Sequence, residues 1–240
     1  MGSIGINLQE VRRRIAAACV ASARDATIVT HSDATGGKPG LLLLAVSKTF
    51  DAAAVREAHA AGQLAFGENY VQEGLAKIAA LAELRPRIEW HLIGPLQSNK
   101  TRDVARAYDW VHTVDRLKVA QRLSEQRPPA LAPLQVCLQV NISGEASKSG
   151  VAPAELPALA RAIAALPRLR LRGLMAIPEP ARDVEAQRAP QRELARLLAG
   201  LVEQGLALDT LSMGMSADLE AAVAEGATIV RVGTAIFGTR

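Results

Sequence analysis

Aromatic residues are scarce in this chain of 240 residues, making up 3% of it, with two Trp, two Tyr and three Phe. A core must therefore be built mainly from Ala, Leu, Val and Ile, which suits helices packed on a parallel sheet. Hydrophobic residues still reach 49% against 22% charged, which excludes a disordered chain. The length fits one α/β barrel, typically about 250 residues, or two small domains.

Cysteine is nearly absent as well, since only Cys19 and Cys137 occur, in unrelated segments. Neither a disulfide framework nor a metal site can be read from them, and a reducing compartment fits. The net charge of +4 comes from scattered arginines without a basic block, so nucleic-acid binding is not expected. The chain has no recognisable signal peptide, and no apolar run reaches the ~18 to 20 residues that span a bilayer. We expect a cytoplasmic protein with no membrane partner.

What the sequence does contain is a regular alternation of short apolar segments with helical ones. Eight strands are predicted, at residues 41–46, 64–66, 90–93, 110–114, 134–142, 171–176, 210–213 and 229–232. Seven helices lie between them, at residues 51–61, 71–83, 98–107, 116–126, 153–165, 184–203 and 217–225. Eight such units predict a closed (β/α)₈ TIM barrel of the α/β class. An open doubly wound sheet is the alternative.

A further helix is predicted before the first strand, at residues 7–23, with Asn7 as its N-cap. Asp51 and Asp115 are predicted to cap the helices at 51–61 and 116–126. The last strand is followed by too few residues for a full helix, so the N-terminal helix is expected to fill that gap. We interpret residues 1–240 as one domain, with the N-terminal helix at 1–26, a loop at 27–40 and the barrel at 41–240.

Lys48 stands where the first barrel strand should end, after six apolar residues. Ligands of α/β folds bind beyond the carboxyl ends of the strands. A lysine that emerges there from an apolar wall loses its proton easily, and its neutral amine can form a Schiff base with an aldehyde. A surface lysine that merely closes the strand is the alternative.

The loops after the seventh and eighth strands fit an anion site, because barrels often hold a ligand phosphate there. The first contains Gly214 and Ser216, which could cap the next helix, and the second contains Gly233 and Thr234. Arg231 would lie between these loops and Lys48; beside a pyridine nitrogen, its permanent charge would keep that nitrogen unprotonated. A salt bridge at the barrel rim is the alternative for Arg231.

The chain resembles the pyridoxal phosphate homeostasis protein family, once called proline synthetase co-transcribed proteins. The matching stretches are residues 44–49, 66–73, 90–100, 140–142, 147–150, 173–178, 211–216 and 232–238. The loop at 27–40 is longer than the family pattern. The resemblance implies a single barrel like the N-terminal domain of alanine racemase, of the fold-type III class that binds pyridoxal 5′-phosphate (PLP).

The resemblance also implies the cofactor and its ligands. Lys48 would form the Schiff base with PLP, Asn69 would lie near the cofactor, and Arg231 would face the pyridine nitrogen. The phosphate would be held by Ser216, Gly233 and Thr234.

Two functions from different classes follow from these expectations. The first is a monomeric, non-catalytic PLP binder that serves vitamin B6 homeostasis and releases PLP to PLP-dependent apoenzymes. The second is a PLP-dependent amino-acid racemase with Lys48 as one base and Tyr70 or His91 as the other; Tyr108 is expected to lie on the wrong side. A Schiff-base aldolase without a cofactor is a third hypothesis. His112 is interpreted as structural, and Lys148 as a solvated loop residue or a second amine.

Overall fold

The structure, a computed structural model, describes residues 3–31, 40–144 and 149–239. Its strands are β1 (Ile28–Val29), β2 (Leu41–Val46), β3 (Ala65–Glu68), β4 (Glu89–Leu92), β5 (Trp110–Val114), β6 (Leu134–Gln139), β7 (Leu169–Met175), β8 (Thr210–Ser212) and β9 (Ile229–Val232). Its helices are α1 (Ile4–Ala21), α2 (Ala52–Ala60), α3 (Val71–Ala80), α4 (Thr101–Ala107), α5 (Leu117–Gln126), α6 (Leu156–Ala164), α7 (Val184–Glu203), α8 (Leu219–Ala224) and α9 (Thr234–Phe237).

The strands from β2 to β9 close into a barrel. Each pairs in parallel with the next along the chain, and β2 also pairs with β9, from Leu42 opposite Ile229 to Ala45 opposite Val232. The predicted (β/α)₈ barrel is therefore confirmed, and the open sheet is excluded. The carboxyl ends of all eight strands meet at one end of the barrel.

Strand β1 lies inside the segment that was predicted to be a loop, so that prediction is wrong for Ile28 and Val29. These two residues pair with Leu41 and Leu42, at the beginning of β2. Strand β3 pairs only with the end of β2, which leaves the earlier backbone groups of that edge without a partner. β1 satisfies them, as backbone N–H and C=O groups require. The central part of the predicted loop, residues 32–39, lies outside the described residues.

Helix α1 occupies the place of the missing last barrel helix, as predicted. Its buried face comprises Leu8, Val11, Ile15, Ala18 and Cys19, and it packs against α2, α8 and α9. The helix begins earlier than predicted, because Ser3 and not Asn7 is the N-cap. Asn7 instead donates a hydrogen bond of 2.9 Å to the backbone oxygen of Ile236 in the one-turn helix α9.

Two other predicted helix caps have different outcomes. Asp51 caps α2, since its carboxylate accepts a 2.9 Å hydrogen bond from the backbone N–H of Ala54. Asp115 does not cap α5, because that helix begins at Leu117 with Arg116 at the N-cap position.

The hydrophobic core has two layers, which follow from the alternation of side chains along each strand. Leu41, Leu43 and Ala45 belong to the layer shared with the helices. The second layer lies inside the barrel; its buried members are Leu42, Leu44, Val46, Ala65, Ile93, Trp110, Cys137, Met175 and Ile229. Within the described ranges, no helix is long and apolar enough to cross a bilayer.

Candidate ligand-binding site

A cavity of about 530 Å³ opens beyond the carboxyl ends of β2, β3, β8 and β9. Its volume lies in the range of small-molecule sites. The six residues predicted to hold a ligand all line it: Lys48, Asn69, Ser216, Arg231, Gly233 and Thr234. A smaller cavity, of about 310 Å³, lies at the other end of the barrel. The strand-end location favours the first as the ligand site.

Lys48 reaches the cavity because strand alternation continues past the end of β2. Leu42, Leu44 and Val46 point into the barrel, and Lys48 has the same parity. Its side chain is exposed, and within the described part of the chain its ammonium has no hydrogen-bond or ion-pair partner. The amine is therefore available to a ligand.

Arg231, near the carboxyl end of β9, lines the bottom of the cavity, and it is 4% exposed. Its Nη1 donates to the backbone oxygen and to Oγ of Ser212, at 2.6 and 2.9 Å, and its Nη2 donates to the Ala176 oxygen at 2.9 Å. Nε and one N–H of Nη2 have no acceptor among the described residues. Burial lowers the pKa of Arg231 to about 10, an effect that Asp218 and Cys137 partly oppose. A buried cation with spare donors is matched to an acceptor in the ligand.

Behind Arg231, a line of buried polar side chains runs through the barrel. Ser212 Oγ lies 2.8 Å from His112 Nδ1, and His112 Nε2 lies 2.9 Å from His91 Nδ1. Glu89 Oε1 is 2.7 Å from His91 Nε2, within ion-pair distance, while His91 Nε2 has no hydrogen-bond partner among the described residues. We call Glu89, His91, His112, Ser212 and Arg231 the buried relay.

The direction of the hydrogen bonds in the buried relay follows from Arg231, which can only donate. We assign the Ser212 hydroxyl as donor to His112 Nδ1, His112 Nε2–H as donor to His91 Nδ1, and His91 Nε2–H toward Glu89. The opposite direction would leave the Ser212 proton without an acceptor and set a nitrogen lone pair against the Glu89 carboxylate. Both histidines are therefore held in one tautomer, and Arg231 is held in one orientation.

The buried relay predicts a pH dependence of stability. Burial lowers the pKa of His112 well below 6.5, and His91 and Arg231 lower it further. Below a pH of about 6.5, His112 gains a proton in the unfolded chain but not in the folded protein. The free energy of unfolding therefore decreases as the pH is lowered, by up to about 1.4 kcal/mol per pH unit. From pH 6.5 to 5, the unfolding free energy of the wild type should fall by about 1.6 kcal/mol more than that of His112→Gln. Urea unfolding at both pH values measures this difference, and equal slopes would contradict it.

The loop after β8 brings Ser216 to the cavity, but not as a helix cap. Helix α8 begins at Leu219, three residues beyond Ser216, so the predicted capping role is wrong. Asp218 is held away from a ligand, because its carboxylate accepts 2.8 Å hydrogen bonds from the Met215 N–H and the Gln191 amide. Gly214 makes the turn with a φ of +88°, and an added Cβ would lie 2.4 Å from Ala222 Cβ.

Asn69 and Gly233 complete the two sides of the cavity. The Oδ1 atom of Asn69 is buried without a partner among the described residues, so the amide has an unused acceptor. Gly233 leaves little space, since a Cβ there would lie 3.1 Å from the Val46 backbone oxygen. A glycine at this position lets a ligand approach the backbone beside Thr234, the first residue of α9.

The residues considered as second bases lie apart from the cavity. His91 is fully buried in the relay, and Tyr108 is fully buried with its pKa raised by burial, Glu68 and Glu73. Tyr70 is 59% exposed and lines a neighbouring pocket that also includes Asn69 and Lys100. Lys148 lies outside the described residues.

Fold and cavity together define a (β/α)₈ barrel in which Lys48 and the buried Arg231 line a cavity beyond the strand ends. The family described as "Alanine racemase, N-terminal domain" matches residues 34–240. The "Pyridoxal phosphate homeostasis protein" of Pseudomonas aeruginosa is 61% identical over 100% of this chain and 97% of its own. The protein of that name from Escherichia coli K12 is 53% identical over 100% and 98%. A solved structure of PipY from Synechococcus elongatus PCC7942 with PLP bound is 40% identical, with a TM-score of 0.77, over 93% of this chain and 100% of that one. The chain belongs to the alanine racemase N-terminal domain family, and within it to the pyridoxal phosphate homeostasis proteins.

Sequence reasoning missed Ser212 and the role of His112. Both lie at inward-facing positions of their strands, which is the signal that could have drawn attention to them. The spacing of the histidines suggested no metal site, and the described residues contain no cluster that could hold a metal ion. The hydrogen bond between His112 and Ser212 joins positions that are 100 residues apart, and no local pattern encodes it.

Proposed function

We propose that this protein binds pyridoxal 5′-phosphate on Lys48 and serves PLP homeostasis without catalytic turnover. The observation that carries the proposal is the cavity itself, which combines a lysine and a buried arginine. Among the described residues, the Lys48 ammonium has no partner and Arg231 has N–H groups without an acceptor. The PLP-bound PipY structure, at 40% identity, supports the assignment.

The residues around the cavity suit the three parts of PLP. Lys48 would receive its aldehyde, and the spare N–H groups of Arg231 would face the pyridine nitrogen. Ser216, Gly233 and Thr234 would hold the phosphate, and Asn69 would contact the ring or its hydroxyl. When bound, PLP supplies an electrophilic aldehyde that condenses with a primary amine to a coloured, reducible imine. The fixed charge of Arg231 weakens the ring as an electron sink, because it disfavours a proton on the adjacent nitrogen.

The absence of turnover is inferred from the candidate bases. Racemisation requires a second proton donor near the cofactor, and both His91 and Tyr108 are buried away from the cavity. Tyr70 lines only the adjoining pocket. The open mouth suits exchange of PLP with solvent and with other proteins better than chemistry that excludes water.

The wider role is part of the same proposal. We infer that residues 1–240 act as one PLP-binding domain, as a monomer in the cytoplasm, and that PLP passes from this site to PLP-dependent apoenzymes. No nucleic-acid or membrane partner is proposed.

The experiment that tests the function combines spectroscopy with mapping. The protein is incubated with PLP, its visible absorbance is recorded, and the adduct is reduced with borohydride and located by peptide mass spectrometry. We expect a visible band, modification of Lys48 ahead of Lys100 and Lys118, and no interconversion of L- and D-alanine. Modification spread evenly over the exposed lysines would refute the site, and racemisation above a PLP blank would refute the non-catalytic role.

A further inference from the structure

The backbone on both sides of Lys48 is held by three charged side chains that lie behind β2, outside the barrel. Glu68 ends β3, while Glu73 and Lys77 lie one turn apart on α3. We call Glu68, Glu73 and Lys77 the rear clamp. None of its members lines the ligand cavity.

The rear clamp grips Ser47, the residue before Lys48, through its backbone and its side chain. Lys77 Nζ donates to the Ser47 backbone oxygen at 2.6 Å, and the Ser47 hydroxyl donates to Glu68 Oε1 at 2.6 Å. Lys77 Nζ also bonds Glu68 Oε1 at 2.8 Å and Glu73 Oε1 at 2.7 Å. The ammonium thus has all three of its donors satisfied.

The residue after Lys48 is held by the same clamp. Thr49 has a φ of +67°, which is sterically unfavourable for a β-branched residue. Its N–H donates to Glu73 Oε1, the atom that also binds Lys77. Such a conformation persists only where its surroundings enforce it. Here the Phe50 N–H closes the turn by donating to the Ser47 backbone oxygen at 3.1 Å, and the Glu73 carboxylate holds the Thr49 N–H.

Fold stability alone is a poor explanation of the rear clamp. The Lys77 and Glu68 side chains are 5% and 0% exposed, and burial raises the pKa of Glu68 despite the opposing effect of Lys77. Buried ion pairs of this kind can often be replaced by apolar residues without loss of stability. What apolar residues could not reproduce is the set of directed bonds to Ser47 and Thr49.

We propose that Glu68, Glu73 and Lys77 are positioning residues for Lys48, which fix the direction in which its side chain leaves β2. The inference rests on the proposed function, in that the chemistry it serves is imine formation with PLP. Its physical content is that loss of the clamp frees the 47–49 backbone and slows attack by the amine, without changing non-covalent binding in the cavity.

Glu73→Ala tests the proposal, because Glu73 is partly exposed, at 27%, and its loss is compatible with folding. We expect the rate of imine formation with PLP to fall at least tenfold, while the affinity for pyridoxine 5′-phosphate, which lacks the aldehyde, changes less than twofold. Glu73→Gln keeps an acceptor for Thr49 and should recover most of the rate. Wild-type rates in Glu73→Ala, or equal losses of rate and of pyridoxine 5′-phosphate affinity, would overturn the proposal.

Two controls separate positioning from general damage. Gln63→Met removes a buried side chain that bridges Leu43 on β2 and Ala65 on β3, far from the lysine. Glu83→Ala removes an exposed carboxylate paired with Arg56. Both are expected to form the imine at the wild-type rate once folded.

A second readout needs no PLP. Amide hydrogen exchange of Thr49 in the protein alone should be at least tenfold faster in Glu73→Ala than in the wild type, and unchanged in Glu83→Ala. If the wild type forms no imine, the proposed function is refuted. The role of the rear clamp is then still tested by the hydrogen exchange rate of the Thr49 amide. Unchanged exchange in Glu73→Ala would refute the clamp.

Discussion

Lys48→Ala is expected to abolish the covalent adduct with PLP and to leave the fold intact. The amine is the only group in the cavity that the proposal gives a covalent role, so the visible band and the borohydride-reducible mass should both disappear. The contacts of Arg231 remain, so PLP should still bind, but at least tenfold more weakly, a difference of about 1.4 kcal/mol. Absorbance titration and equilibrium dialysis measure the two effects separately.

Stability distinguishes this variant from one that fails to fold. Lys48 is exposed and unpaired within the described residues, and such substitutions change stability by about 0.5 kcal/mol or less. The melting temperature without PLP should therefore shift by no more than about 2 °C. Lys100→Ala, beside the adjoining pocket, is the matched control and should keep the band. A visible band that persists in Lys48→Ala and disappears in Lys100→Ala would refute Lys48 as the covalent site and assign the imine to Lys100.

The barrel and Lys48 could be predicted because local pattern carries both. The uninterrupted apolar run of β2 indicates a strand covered on both faces, and Lys48 stands two residues beyond that run, at the strand end where α/β folds bind ligands. The count of eight strands then predicts closure without knowledge of any contact between them. The six residues around the cavity came from the loops where barrels bind anions and from the family resemblance.

What local pattern could not give was pairing between distant positions. Strand β1 has only two residues, and nothing in Ile28 and Val29 themselves marks them as a strand. They form one because the first residues of β2, which do not pair with β3, need backbone hydrogen-bond partners on that edge. Ser216 looked like a helix cap because its residue type fits, but the chain makes another turn before α8 begins. The relay behind Arg231 and the clamp behind Lys48 depend on three-dimensional contacts between strands, and their residues are individually unremarkable.

Gly94→Ala is expected to damage the fold and the cavity together. Gly94 follows β4 and packs against the backbone of Asn69, where an added Cβ would lie 1.9 Å from the Asn69 oxygen and 2.6 Å from its Cα. No side-chain rotation relieves a clash between backbone atoms, so one of the two loops must move. Forced overpacking of this kind costs about 3 kcal/mol, which corresponds to a fall in melting temperature of roughly 6–12 °C.

The same displacement should reach the ligand through Asn69, whose amide faces the cavity. PLP affinity of the folded Gly94→Ala protein should therefore fall several-fold, measured by titration well below its melting temperature. Gly200→Ala is the matched control, because Gly200 lies within α7 and an added Cβ meets nothing within 4 Å. Removal of a helical glycine there should stabilise the protein by about 0.5–1 kcal/mol and leave PLP binding unchanged. If Gly94→Ala melts with the wild type, the β3 and β4 loops do not pack as described; if it is destabilised but binds PLP normally, Asn69 does not contribute to the site.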